Sequence, residues 1–341
     1  MRLSLMNEFP APTVPGAPAV PDYKDRSTGL MIFGILTILL GGLVGLFIPM
    51  MLISMAAAPA TQQEPNGPAF IVPAIIIYGG LAAVLISLGI GSIKARRWAR
   101  ALLLIFSWSW LVMGVFMLLA TIFVMPGALD NLPSNGTANQ PALPPEAKAV
   151  AIVVACLVVG FFFVLMPGAW MFFYSSRHVK ATCEAHDPVT RWTDACPLPV
   201  LGLALWLSVS ALMTLLNPLI QKHCVLPFFG TFLTGLPVAL FCAVVAALWG
   251  YAGWLLYRVK PLGWWLVLFV TVALTLSHIL TFAHHNMIEM YQLMGYPPEQ
   301  IEQIQKIGLF TDGHAMWMAL FFFLLMLAYL IFIKKYFRPK P

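Results

Sequence analysis

Eight apolar runs, each long enough to cross a lipid bilayer, constrain this chain more than anything else in it. They lie at about 30–56, 70–92, 101–125, 149–174, 198–217, 237–257, 263–284 and 314–333. A helix needs about 20 apolar residues to cross a hydrocarbon core of about 30 Å. In that medium a helix satisfies all its backbone groups within one segment. Only 9% of the residues are charged, against about a quarter in an ordinary soluble domain. The expected fold is an all-α polytopic membrane protein with eight transmembrane helices in two four-helix bundles. The expected organisation is a disordered tail (1–29), a first half (30–174), a connector (175–197), a second half (198–336) and a short tail (337–341).

The net charge of +6 does not point to nucleic acid, because the basic residues sort by loop. Sixteen of the 19 fall on one side of the predicted spans: Arg2, Lys24, Arg26, Lys94, Arg96, Arg97, Arg100, Arg177, Lys180, Arg191, Arg258, Lys260, Lys334, Lys335, Arg338 and Lys340. Lys148, Lys222 and Lys306 are the remainder. Positive charge stays inside, so both termini and the connector are expected in the cytoplasm, with the basic flanks meeting anionic lipid heads. The first 29 residues contain the Pro-rich FPAPTVPGAPAVP and no signal-peptide core. The five cysteines are scattered and make no disulfide framework. Gly41 and Gly45 form a small-xxx-small pair in the first span, suited to close packing against another helix of the chain or, alternatively, to dimerisation.

A repeat is also visible. Shifting GSIKARRWARALLLIF by 166 residues onto the turn YRVKPLGWWLVLF superposes Lys94 on Lys260 and Trp98 on Trp264. The same shift carries the first four spans onto the last four. Four spans per copy is an even number, so the copies would be parallel in the membrane.

Between the spans, 126–147 is rich in Pro, Asn and Gly and reads as irregular. Asn135-Gly136-Thr137 within it matches a glycosylation acceptor, relevant only in a eukaryotic secretory pathway. Pro167-Gly168 predicts a kink in the fourth span. Residues 297–310 read as an amphipathic surface helix. In the connector, Asp187 followed by Pro188 reads as an N-cap and first turn, with VTRWTDA forming about two turns and Trp192 at the interface.

Candidate chemistry is sparse. No Asp, Glu, Lys or Arg falls in the core of a span, which argues against proton coupling. Neutral groups such as Ser208, Thr271 and Ser277 suit packing hydrogen bonds or the lining of a path for a neutral substrate. His285 and Glu289, four apart, with Asp312 and His314 nearby in sequence, are a candidate zinc set on the outer side. The clustering of His223, His278, His284, His285 and His314 there also admits haem. His178, Cys183, His186 and Cys196 are a second candidate zinc set, without the paired spacings of established fingers. No phosphate loop, nucleophile elbow or dinucleotide fingerprint is present, so no cofactor is assigned and catalysis is unsupported.

The stretches CEAHDPVTRWTDACPLPVL and GSIKARRWARALLLIFSW resemble parts of multi-pass bacterial inner-membrane proteins of no assigned activity. The resemblance implies a location and no mechanism. The expected function is that of a non-catalytic membrane protein whose connector, 178–196, meets a cytoplasmic protein partner. A carrier of a neutral or lipophilic small molecule and a metal- or haem-dependent redox protein are the alternatives.

Overall fold

A computed structural model of the chain describes residues 23–57, 67–130, 144–221, 223–307 and 312–337. The expected tail at 1–29 lies mostly outside these, as do the glycosylation acceptor and most of the loop that carries it. In chain order the elements are α1 (Ser27–Ala57), α2 (Gly67–Ile93), α3 (Arg97–Asp130), α4 (Pro145–Gly160), a π turn (Phe161–Leu165), α5 (Met166–Ser175), α6 (Arg177–His186) and a 3-10 turn (Trp192–Asp194). There follow α7 (Leu198–Ile220), β1 (Val225–Phe228), β2 (Thr231–Thr234), α8 (Leu236–Tyr257), α9 (Pro261–His284), α10 (Met287–Leu293), α11 (Pro298–Ile307), α12 (Asp312–Ile333) and a 3-10 turn (Lys334–Phe337).

Among the described residues eight helical segments are long and apolar enough to cross a membrane; α4, the π turn and α5 together make the fourth. The chain is an all-α polytopic membrane protein with one small antiparallel hairpin, β1–β2. Phe123, Phe172, Leu219 and Phe269 stand 73–81% exposed along the spans. That apolar exterior is what lipid contact requires.

Among the described residues two small clusters sit beside the hairpin, and two larger, separate cores form. One joins Leu30, Leu88, Leu103, Trp170 and Tyr174 from the first four spans and takes in Val179 and Cys183 of α6. The other joins Val200, Leu207, Leu256, Trp264, Val267 and Leu330 from the last four. Backbones approach closely within each half. A Cβ on Gly34 of α1 would lie 2.8 Å from the Gly89 carbonyl oxygen of α2, and a Cβ on Gly89 would lie 2.7 Å from that of Gly34. Gly41 faces the Ala82 carbonyl on α2 in the same interface. Gly34, Gly41 and Gly45 of α1 therefore pack within the chain.

The kink expected at Pro167 takes the form of a widened turn. Proline has no N–H to donate, and its ring collides with the carbonyl four residues back. The ladder shifts by one residue to absorb this, and the Met166 N–H donates to the Phe161 carbonyl. The Phe163 carbonyl oxygen is carried onto α3 at Gly114, where any side chain would overlap it.

The turn between α2 and α3 and the turn between α8 and α9 share one backbone geometry, at an offset of 164 and not 166. Ala95 and Val259, 164 positions apart, are both non-glycine residues at positive φ, 49° and 53°. Around the first, Ala95 N–H donates to Ser92 O and Arg96 N–H to Gly91 O; around the second, Val259 N–H donates to Leu256 O and Lys260 N–H to Leu255 O. Each is a Schellman turn. The close pair Gly91–Ala99 beside the first turn corresponds to Leu255–Gly263 beside the second, and Gly89 corresponds to Gly253. At this offset Lys94 meets Arg258, Arg96 meets Lys260 and Trp98 meets Leu262 in place of Trp264.

Gly114→Ala should lower the stability of the detergent-purified protein by about 2–3 kcal/mol through overpacking. Gly160→Ala, with open space around its Cβ, should be neutral or slightly stabilising. Thermal melting compares them, and equal shifts would show that the Phe163 contact is not tight.

Candidate functional site

The basic turns converge at one end of the bundle, and the connector is folded against them. α6 begins where Ser176 Oγ accepts the His178 N–H. It is held because Val179, Thr182 and Cys183, one helical face, are buried. Its polar groups then serve the chain leading into α1. The His178 Nδ1 accepts the Lys24 N–H at 3.3 Å and the Thr182 Oγ1 accepts the Arg26 N–H at 3.1 Å. Asp25 accepts the Ser27 N–H at 3.0 Å. The Ser27 N–H is a donor at the helix start with no partner within the helix, and the other two belong to the chain that leads into it.

Asp187 is the centre of the arrangement. It ends α6, its N–H donating to Cys183 O, and its side chain is only 2% exposed. The carboxylate accepts from Arg191 Nη2 at 2.8 Å and Nε at 3.3 Å. It also accepts the Arg97 N–H at the start of α3 at 3.4 Å, with Arg96 Nη1 at 3.5 Å. A negative charge there meets the positive end of the α3 dipole. The Arg191 hydrogen bonds hold the carboxyl below its ordinary 3.8, against the opposing effect of burial. Arg97 in turn contacts Glu184 at 3.5 Å and Asp194 at 3.4 Å. Two expectations change here. Asp187 does not cap a helix starting at Pro188, and VTRWTDA forms a single 3-10 turn in place of two turns. The capping carboxylate reaches a different helix. Trp192, 47% exposed, offers its carbonyl to the Tyr257 hydroxyl at 3.1 Å, which ties the connector to the second half.

Among the described residues no three His, Cys, Asp or Glu side chains converge as a metal would require. Of the set His178, Cys183, His186 and Cys196, His178 faces the Lys24 N–H and the His186 Nδ1 faces the Thr182 carbonyl at 2.9 Å. Cys183 and Cys196 are buried, and burial pushes both thiols up to about 11. A raised thiol disfavours the thiolate, which is the form that binds metal. In the other set, His285 and Glu289 do meet, Nδ1 to Oε2 at 2.7 Å, although α9 stops at His284 and Asn286 caps α10 between them. The other ring nitrogen of His285 faces Gly230 O at 3.2 Å. Both nitrogens are engaged with protein, so a metal would have to displace one contact. The side chains of Asp312 and His314 lie outside the described residues.

What His285 does visibly is hold the hairpin. Ser277 and Thr281 lie four apart on one face of α9, and His285 follows just past its end. Phe229 N–H donates to Ser277 Oγ at 3.0 Å and Gly230 N–H to Thr281 Oγ1 at 3.1 Å. Phe229 and Gly230 both have positive φ, 40° and 93°, the geometry of a type I′ hairpin turn. Ser277 thus serves packing.

Asp187→Ala should cost about 2–3 kcal/mol, from a lost cap and lost charge-assisted bonds to arginines that remain partly solvated. Because the folded carboxyl titrates below its ordinary 3.8, its contribution is complete above that value. It is lost as pH falls through the lower folded value. Melting of wild type and variant should converge below that range and stay separated at neutral pH; a constant gap at all pH values would mean that the charge is irrelevant.

No family model matches the chain, and no curated protein or solved structure matches it.

Proposed function

We propose that the protein is a non-catalytic integral membrane protein of the bacterial inner membrane, with the basic face and both termini in the cytoplasm, whose connector at 178–196 receives a protein partner. The observation that carries this is a connector locked by ion pairs that still presents Val189 and Trp192, 60% and 47% exposed. Large apolar and aromatic side chains on a preorganised surface are efficient anchors, because little entropy is lost on binding. The orientation is supported by the gathering of the basic turns on one face.

A photo-crosslinking residue at position 189 should give one discrete adduct with an identifiable protein in cells. Trp192→Ala should abolish that adduct, and the same residue at Gln292, on the opposite face, should not give it. An Ala185→Cys variant should react with an impermeant thiol reagent only after the membrane is opened. Absence of any adduct across 178–196 would end the partner reading, and labelling in intact cells would invert the orientation.

A further inference from the structure

Beneath the connector lies a cleft of about 50 Å³ that the ion-pair network does not fill. It is lined by Arg97 and Arg100 from the first turn of α3, Lys180 and Glu184 from α6, and Thr193 and Asp194 from the 3-10 turn. Two donors in it have no partner among the described residues: Arg100 Nε and Thr193 Oγ1 are both cut off from solvent without a hydrogen bond. Thr193 is only 2% exposed. A buried donor left unpaired costs about 1–3 kcal/mol, so two in one cleft ask for a shared acceptor.

The charges say which kind. Arg97 is taken by Glu184 and Asp194, and Lys180 leans on Glu184 at 3.8 Å. Arg100 has no carboxylate within ion-pair distance among the described residues. Three cations thus line the cleft against two carboxylates. Arginine offers only donors, in a fork that matches carboxylate and phosphate oxygens. The volume exceeds the 10–15 Å³ that one water needs and is too small for more than a single compact group. Leu198, at the entry of the fifth span, forms part of the wall, so the opening stands at the depth where lipid headgroups begin.

We propose that this cleft binds one phosphate-type oxyanion, held by Arg100 and Thr193 at its base and Lys180 at its rim, as the headgroup of an anionic phospholipid or as free phosphate. The site does not depend on what meets Val189 and Trp192. A bound oxyanion would pair both orphan donors and bridge α3, α6 and the 3-10 turn.

The test is native mass spectrometry of the full detergent-purified chain with phosphatidylglycerol, phosphatidylcholine and inorganic phosphate as separate probes, alongside thermal melting. Wild type should hold one phosphatidylglycerol at least tenfold more tightly than phosphatidylcholine. Arg100→Gln and Thr193→Val should each reduce that binding about tenfold, while Lys335→Gln, a basic residue elsewhere on the same face, should leave it unchanged. Binding of inorganic phosphate with the same dependence on Arg100 would identify the phosphoryl group alone as what is read, and its failure to bind beside tight phosphatidylglycerol would identify the lipid. Thr193→Val keeps the side-chain shape, so it reports even if Arg100→Gln folds poorly. Without probe it should melt no lower than wild type, since an unpaired hydroxyl is removed, and added phosphatidylglycerol should raise its melting temperature less. Equal binding of the two lipids with no phosphate binding, or binding unaffected by both cleft variants, would overturn the proposal.

Discussion

The carboxylate of Asp187 is the contact on which the basic end of the molecule depends. A helix entering a membrane leaves backbone N–H groups at its first turn that need partners, and lipid supplies none. α3 enters with two arginines in its first turn, so its start carries both orphan donors and repelling positive charge. One carboxylate, almost wholly out of solvent, answers both by accepting the Arg97 N–H and standing among Arg96 and Arg191. Because it belongs to the residue that closes α6, placing the carboxylate also places the connector. A buried charge is expensive alone and tolerable when paired, and this one is paired from three directions.

The same economy explains how so few polar residues organise so apolar a chain. Ser92 links the Leu30 carbonyl and the Tyr174 hydroxyl at 2.9 and 2.6 Å, joining the first, second and fourth spans at one depth. Trp264 Nε1 donates to Leu330 O at 2.8 Å between α9 and α12. Ser277 and Thr281 hold the hairpin turn. Elsewhere the helices meet through glycine, where carbonyl oxygen approaches α-carbon, as at Gly34–Gly89 and Gly114–Phe163. Such packing substitutes for the hydrophobic drive that lipid removes.

The eight spans were legible because lipid imposes composition and length directly on sequence, residue by residue. α6 was not, since RHVKATCEAH has the polarity of a loop and its buried face is only Val179, Thr182 and Cys183. The hairpin was missed because VLPFFGTFLT is too short for a periodic signal, although Gly230 in its middle is a turn residue. Asp187 reads as a cap for the residues that follow it, but the helix start it serves, at the N–H of Arg97, lies 90 positions away and no local pattern announces it. The likeness of the two turns lies two residues from the tryptophan match, in backbone dihedrals at Ala95 and Val259 that no residue type announces. The orphan donors of Arg100 and Thr193 exist only once three elements have come together.

α6 lies inside the core of the first half, and nearly all its partners precede residue 197 in the chain. Val179 and Cys183 pack with Leu30, Leu103 and Tyr174, while Asp187 closes on Arg96 and Arg97. These partners have therefore all been synthesised once the connector has been, ahead of the last four spans. The contacts of Thr182 with Arg26 and of Asp187 with Arg97 span 90 positions and more, yet both partners of each belong to the N-terminal half, so a defect in the connector is felt by a chain that is still being synthesised.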